Sequence, residues 1–471
     1  MLAGGDSLHV GRRGVAVVDA RGPEPGRSPE GGSAQDEEQD PSGRAELPRG
    51  VLAAATGDPG MPLPGAPAVE PPLADLGSGR GPSWLDDWIG ANVDRVRAWR
   101  RHLHANPELS RGEHKTTTFL VDELTRLGLS PQVLPGGTGL ICDIEGDDSE
   151  PGPTVALRAD IDALPLAESS GLPYASTVDG AAHACGHDAH TAIMLGTALA
   201  LAQAPRLPGR VRMIFQPAEE VMPGGALDVL AAGGLDGVDR IFGLHCDPRL
   251  PVGQVGTRVG AITSAADLLE VRLSSPGGHT SRPHLTADLV HALGTLITDL
   301  PTLLSRRVDP RTGTVLTWGA VHSGEAPNAI PQNGVLTGTL RTADRDTWAT
   351  MERLTDELVG SLLAPLGVGY DLHHLRGVPP VVNEATSTDL LSTAVVRAAG
   401  EDALTGTAQS SGGEDFGWYL EHVPGSFARL GVHSGDGPVQ DLHQPAFWLD
   451  ERALVVGIRT MVHAAGLSLR R

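Results

Sequence analysis

The chain has 471 residues, enough for two domains and a large hydrophobic core. Its formal net charge of −22 argues against a nucleic-acid partner, which needs a basic surface, and against docking on an anionic membrane. There is no apolar run of the roughly 20 residues that a spanning helix needs, and the N-terminus has no apolar signal segment. Three cysteines make no disulfide framework, so we expect a cytoplasmic protein.

The N-terminal region has a different composition from the rest of the chain. Residues 1 to about 83 are crowded with Pro, Gly, Ser and Ala and show no sustained periodicity, which predicts a disordered tail. From Trp84, apolar residues recur at helical spacing as far as Leu103. A second helix is predicted at 116–127, where Gly128 ends it.

Short apolar strands then alternate with helical stretches. The predicted strands are 154–157, 211–215 and 240–244, and the predicted helices between them are 190–202 and 226–232. Strands that alternate with helices are typical of a mainly parallel α/β sheet with helices on its faces.

Near Ala261 the pattern changes. Strand-like segments lie at 268–275, 314–324 and 334–342, and long helical patterns lie at 285–304 and 346–363. Two helices with about four strands predict an inserted α+β domain, and the α/β pattern returns after Pro380. The predicted organisation is a tail (1–83), a catalytic domain in two parts (84–261 and 377–471) and a smaller lid domain between them (262–376).

Potential metal ligands follow the predicted strands, where ligands bind in open α/β sheets. These candidates are Asp160 and Asp162, Glu219 and Glu220, His245, the HACGHDAH segment that opens a helix, and His443 near the C-terminus. Each candidate alone is more often an ordinary structural polar residue. Together, thiol, imidazole and carboxylate groups at converging strand ends suit zinc, manganese or cobalt.

Two spacings strengthen this interpretation. Cys185 and His187 are two residues apart, so an extended or turning backbone places both side chains on one side, although a small buried cysteine is the alternative. Glu219 and Glu220 are adjacent, which suits a division of labour. One carboxylate can bind metal while the other takes a proton from a metal-activated water.

Other polar residues near these motifs stay ambiguous from sequence. His190 either contacts the site or packs in the helix. The GGED segment, 412–415, is expected to shape the pocket wall through its glycines, whereas Glu414 and Asp415 could equally serve the electrostatics of a helix N-terminus.

The motifs together resemble a known family. The matching segments, which run from Arg100 to Glu451, are RRHLHANPELS, LRADIDALP, HACGHDAH, IFQPAEE, GLHCDP, PGGHTSRPHLTADLV, APNAIPQNGVLTGTLR, GGEDFGWYL and DLHQPAFWLDE. They are similar to the dinuclear metallopeptidase group of bacterial aminoacylases, hippurate hydrolases and plant indoleacetyl-amino-acid hydrolases. The resemblance implies a zinc-exopeptidase-like α/β catalytic domain with a ferredoxin-like lid.

The resemblance also implies roles around two divalent metal ions (Zn, Mn or Co). The implied ligands are Cys185 as the bridge, His187 and His245 in one site, and Glu220 and His443 in the other. Glu219 would be the general base, and Asp162 would orient a metal ligand.

In the lid, the resemblance implies that His279 stabilises the oxyanion, often from across a dimer interface, and hence a homodimer through the lid. Asn328 and Arg341 would bind a substrate carboxylate, to which a guanidinium pairs bidentately. Many relatives read GGHGAxPH where this chain reads GGHTSRPH, so the acyl and amino-acid preferences stay open.

The function expected from the sequence is hydrolysis of the amide bond of an N-acyl amino acid or a similar small amide by a metal-activated water. A dipeptidase or carboxypeptidase on the same scaffold is one alternative. A second is an amidase with Cys185 as nucleophile, and a third is a non-catalytic binding protein. The presence of Glu219 and all five implied ligands disfavours the third.

Overall fold

The computed structural model describes residues 79–146 and 152–470. The predicted tail lies, as far as residue 78, outside the described residues. Within the described part of the chain, no helix is long and apolar enough to cross a membrane.

The helices lie close to their predicted positions. They are α1 (Ser83–Ala105), α2 (His114–Arg126), α3 (His187–Ala202), α4 (Ala226–Ala231), α5 (Leu289–Arg307), α6 (Arg345–Leu363), α7 (Ala385–Ala399) and α8 (Arg452–Ser468). The largest difference is at α5, whose sequence pattern predicts a start at residue 285. The helix begins later because Asp288 caps it, its side chain accepting a hydrogen bond from the backbone N–H of His291.

The strands cover the predicted segments almost completely, and those predicted at 154–157, 211–215 and 240–244 extend beyond their predicted ends. They are β1 (Gln132–Val133), β2 (Leu140–Ile144), β3 (Thr154–Asp160), β4 (Arg210–Gln216), β5 (Arg240–Pro251), β6 (Val255–Thr257), β7 (Gly260–Ala261), β8 (Ala265–Ser274), β9 (Gly278–His279), β10 (Val315–Ser323), β11 (Ala329–Ile330), β12 (Asn333–Thr342), β13 (Gly369–Val378), β14 (Val382–Asn383), β15 (Leu404–Gly406) and β16 (Gly425–His433).

The larger sheet has the strand order β1-β2-β4-β3-β5-β16-β6-β15. Its four central strands, β4, β3, β5 and β16, run parallel to one another. The pairings β1–β2, β2–β4 and β16–β6 are antiparallel. The predicted α/β class with a mainly parallel sheet is confirmed, with antiparallel strands added towards its edges.

Both faces of this sheet are covered, so its central strands are apolar on both sides. Val155 and Leu157 of β3 join the core formed with α1, α3 and α8, whereas Ala156 between them joins the core beneath α4. Helix α3 is buried almost all round. A Cβ on Gly196 of α3 would lie 2.7 Å from Ile458 of α8, which shows how closely the two helices pack.

The smaller sheet is antiparallel throughout, in the order β10-β12-β8-β13. In chain order this unit reads β8, α5, β10, β12, α6, β13, which is the split βαβ arrangement of ferredoxin-like folds. Both helices bury a leucine-rich face against the sheet, including Leu296 of α5 and Leu358 of α6. The unit is inserted in the chain between β7 and β14, which pair with each other.

Candidate functional site

The carboxyl ends of the central strands bring together the polar residues singled out from the sequence. β3 pairs with β4 on one side and β5 on the other, so Asp160 at the end of β3 lies beside the turn that carries Glu219 and Glu220. His245 lies on β5 itself. The turn that opens α3 supplies Cys185 and His187, and the loop after β16 supplies His443.

The five predicted ligands form two groups that share one side chain. The ligand atoms of Cys185, His187 and His245 lie within 4.8 Å of one another, and so do those of Cys185, Glu220 and His443. Cys185 Sγ is 3.5 Å from His245 Nε2, and His443 Nε2 is 3.3 Å from Glu220 Oε1. The side chains predicted to bind two ions therefore meet around a single cysteine.

The chemistry of these groups fits divalent cations. His187 Nδ1 faces the backbone oxygen of Asp162 at 3.0 Å, which makes Nδ1 the protonated nitrogen. His187 Nε2 is buried and has no hydrogen-bond partner in residues 79–146 and 152–470, so its lone pair is available to a metal. A thiol, imidazoles and a carboxylate are the ligands that zinc and its neighbours in the first transition series accept.

Three residues at these ligands have left-handed backbone, and the first of them, Gly186, explains why the sequence reads CGH. Gly186 has φ +87°, and a Cβ there would lie 2.9 Å from Cys246 Sγ, so glycine is required between the two ligands. Ala218 and His443 also have left-handed backbone, with φ of 55° and 62°. Hydrogen bonds hold both, since Ala218 N–H donates to Glu113 at 2.8 Å and His443 N–H donates to the Ala184 carbonyl at 2.8 Å.

Asp162 contacts a predicted ligand from each group. Its Oδ1 is 3.3 Å from His187 Nδ1, and its Oδ2 accepts the backbone N–H of Glu220 at 3.0 Å and the hydroxyl of Ser110 at 2.6 Å. Burial raises the pKa of Asp162, but His187 and Ser110 outweigh it and hold that pKa below its usual value. This geometry allows Asp162 to orient both ligand groups.

A buried network beneath the site is not apparent from the sequence. His190 Nδ1 is 2.6 Å from Asp160 Oδ1, and His190 Nε2 accepts the backbone N–H of Cys246 at 2.8 Å. Arg158 donates to Asp160 Oδ2 at 2.8 Å. His190 therefore connects the end of β3 to the backbone beside His245. Side chains two residues apart on a strand project from the same face, so the sequence does predict that Arg158 and Asp160 lie on one face of β3. It gives no other sign of this network.

Glu414 and Asp415 belong to the same network, and both carboxylates accept backbone N–H groups at the start of helical segments, the role considered for them from sequence. Both line the cavity described below, and the Arg158 guanidinium lies 3.1 Å from Glu414 Oε1 and 2.7 Å from Asp415 Oδ1. Glu414 also caps the short helical turn Asp415–Glu421 by accepting the N–H of Phe416, and Asp415 accepts the N–H of Ala226 at the start of α4.

These groups open into a cavity of about 330 Å³. Its lining includes Cys185, Glu219, Glu220, His245, His443 and Arg341. Arg341 reaches across from the lid, donating to the Ser411 carbonyl at 2.6 Å. Partial burial raises the pKa of Glu219 well above its usual range, and the carboxylates of Glu414 and Glu220 raise it further.

The structure leaves His279 and Asn328 outside this lining. Both side chains are exposed. His279 lies on β9, which pairs with β11, and Asn328 lies in the turn directly before β11. Their predicted roles in binding substrate and oxyanion stay predictions.

A comparison with known families accounts for this arrangement. The family model described as Peptidase family M20/M25/M40 matches residues 156–466, most of the folded chain. The chain belongs to this family. The predicted resemblance is confirmed. Because M20 is a peptidase family, the two ligand groups lie in a protein whose family hydrolyses amide bonds.

Two relatives each match more than three quarters of the chain. A Rhodococcus jostii protein that carries a glutamate–cysteine ligase name is 57% identical over 364 residues, which are 77% of this chain and 45% of that protein, so the chain spans less than half of it. The N-acetyl-L-cysteine deacetylase of Bacillus subtilis is 40% identical over 357 residues, 76% of this chain and 84% of that protein.

A solved structure agrees as well. A dinuclear metal-binding M20 peptidase from Bacillus subtilis is 36% identical, with a TM-score of 0.71 over 81% of this chain and 99% of that chain. The M20 protein described here is therefore a metal-dependent hydrolase of amide bonds with the fold of its family.

Proposed function

We propose that this M20 enzyme hydrolyses the amide bond of N-acyl amino acids. The observation that carries the proposal is that two ligand groups share Cys185 and face one cavity with Glu219 and Arg341. That cavity therefore combines a place for two cations, a free carboxylate and a guanidinium. Its volume of about 330 Å³ lies within the range of sites for small molecules.

The residues present would hold two divalent ions, of zinc, manganese or cobalt. His187 and His245 would bind one, Glu220 and His443 the other, and Cys185 both. Bound there, the ions would lower the pKa of a water molecule and polarise the amide carbonyl. Asp162 would keep His187 and Glu220 in place through the contacts described above.

Glu219 is the proposed general base. Its carboxylate lies within 4.8 Å of the ligand atoms of His187 and Glu220, yet it belongs to neither group around Cys185. It is thus placed to take a proton from the attacking water and to return it to the nitrogen of the leaving amine. Arg341 would pair with the α-carboxylate of the amino acid. Asn328 lies outside the cavity lining of its own chain, so it would reach that carboxylate from a second copy of the chain.

His279 is the proposed oxyanion donor, acting in the cavity of a second copy of the chain. Its Nδ1 accepts the backbone N–H of Ser281 at 3.1 Å, which leaves Nε2 as the protonated nitrogen. Its exposure and its place outside the cavity lining support a homodimer formed through the lid. The free, buried thiols of Cys142, Cys185 and Cys246 support a cytoplasmic location.

The substrate class is tested with a panel of N-acetyl, N-benzoyl and indoleacetyl amino acids and dipeptides, assayed after chelation and again after adding Zn, Mn or Co. N-acetylcysteine belongs in the panel because a relative is named for its deacetylation. We expect hydrolysis of N-acyl amino acids that chelation abolishes and metal restores. Activity confined to dipeptides would favour a dipeptidase, and activity that survives chelation would favour a cysteine nucleophile.

The dimer is tested by complementation. Glu219→Gln and His279→Ala chains are each expected to be inactive alone. Mixed dimers are expected to regain activity, because one cavity then combines an intact Glu219 with the intact His279 of the other chain. No recovery in verified mixed dimers would place His279 in the cavity of its own chain or outside catalysis.

A further inference from the structure

Arg429 is a residue of the larger sheet that lines the cavity. It lies on β16, directly beside His245 of β5 in the parallel register, so the two side chains project from the same face. The side chain of Arg429 is among the cavity-lining groups, although the residue is only 7% exposed. The position places a positive charge next to one of the predicted metal ligands.

The guanidinium of Arg429 lacks the partners that buried arginines normally have. Its Nε is buried without a hydrogen bond, and no ion pair joins it to a carboxylate within the residues that the structure describes. Its Cζ lies 5.8 Å from the centroid of the Phe427 ring.

The acidic side chains whose charges act on Arg429 are already engaged. The charges of Glu414 and Asp247 favour its protonated form. However, Glu414 lies 3.1 Å from the Arg158 guanidinium, and Asp247 lies 2.8 Å from that of Arg249. Arg429 is thus a largely buried cation whose Nε has no hydrogen-bond partner within the residues that the structure describes.

A buried charge without a partner is unfavourable unless a ligand compensates it. Buried arginines that face a cavity pair well with carboxylates, because the planar fork donates two parallel hydrogen bonds. Arg341, on the lid, is the proposed partner of the α-carboxylate. Arg429, on the larger sheet, is therefore available for another anionic group. The cavity therefore offers two guanidinium groups from two separate walls.

We propose that Arg429 binds a second carboxylate of the substrate, so that the enzyme prefers N-acyl amino acids with two negative charges. This inference rests on the proposed function. The second carboxylate can belong to the amino-acid side chain, as in N-acetylglutamate, or to a dicarboxylic acyl group, as in N-succinylglycine. Both sources present the same group to the guanidinium, and the ligand pairs below distinguish them.

The experiment measures equilibrium binding by calorimetry to metal-loaded Glu219→Gln protein, in which turnover is suppressed. N-acetylglutamate is compared with N-acetylglutamine, and N-succinylglycine with N-succinamoylglycine, so that each pair differs only in one charge. We expect the acid to bind about 10- to 100-fold more tightly than the amide in one of the pairs, the range for a hydrogen bond to a charged group. Adding Arg429→Gln is expected to reduce that ratio to about threefold or less, whereas Arg429→Lys retains part of it.

A matched control is Arg353→Gln, which removes a 74% exposed arginine on α6 and should leave the affinity ratio unchanged. Affinity ratios near one in both pairs, or a ratio that survives Arg429→Gln, would overturn the proposal. So would an equal loss of affinity for acid and amide, which would assign Arg429 to the α-carboxylate. If wild-type protein hydrolyses no N-acyl amino acid, the proposed function fails, while the binding ratio still decides the role of Arg429.

Discussion

Replacement of Arg158 by methionine removes the positive charge at the centre of the network beneath the cavity. The guanidinium is fully buried and lies 2.8 Å from Asp160, 2.7 Å from Asp415 and 3.1 Å from Glu414. Removing it leaves three buried carboxylates to repel one another. Removal of one partner from a buried ion pair costs about 3–5 kcal/mol, a large share of the roughly 5–15 kcal/mol that stabilises a typical domain.

The assay is urea unfolding of metal-free protein. If the free energy of unfolding falls by about 3 kcal/mol per molar urea, a loss of about 3–5 kcal/mol lowers the urea midpoint of Arg158→Met by about 1–1.7 M. Arg311→Met is the control, because Arg311 also pairs with a carboxylate, that of Asp309, but is 89% exposed, so we expect no measurable shift. Metal affinity in the loaded protein should fall too, because Asp160 holds His190 beside His245. An unchanged midpoint with unchanged metal affinity would refute this reasoning.

Three further outcomes are expected. Glu219→Gln should lower kcat by about 10²- to 10⁴-fold with metal content unchanged, and near-normal kcat would remove Glu219 from the role of general base. Gly186→Ala should destabilise the protein more than Gly180→Ala in urea unfolding. Both positions have left-handed φ, but only at Gly186 would the new Cβ meet Cys246. Equal losses of stability would contradict the close packing of Gly186 against Cys246. Burial and neighbouring arginine charges lower the pKa of His463 from 6.5 to about 4, so the unfolded chain binds more protons and stability should fall as pH drops from about 6.5 towards 4. His463→Gln should flatten that dependence between urea midpoints at pH 7 and pH 5, and an identical slope would count against it.

Much of the site could be predicted from sequence because each ligand sits at a recognisable local signal. Short apolar strands are followed by charged residues at Asp160 and at the Glu219–Glu220 pair, and parallel strands put those ends at one edge of the sheet. A glycine between Cys185 and His187 signals the tight turn that the structure confirms. The helical periods likewise predict where α1 and α6 lie to within a few residues.

The rest depends on pairing between distant segments, which no local pattern carries. Arg429 lies beside His245 because β16 is inserted next to β5, and nothing in either strand specifies that neighbour. His190 acquires its role because Asp160 and the Cys246 backbone lie on either side of its ring. His279 lies outside the cavity because of the orientation of the lid. A sequence pattern predicts the helices and strands of a domain, but it does not predict how that domain is oriented.

Two metal ions that share Cys185 are central to the proposed reaction. The most direct test measures the metal content of each variant by elemental analysis and locates the ions by anomalous diffraction. Wild-type protein should hold two ions per chain in the cavity. Cys185→Ala should lose both, whereas His245→Ala and His443→Ala should each mainly lose one. A wild-type protein with no ion beside Cys185, or a Cys185→Ala protein that still holds two, would contradict it.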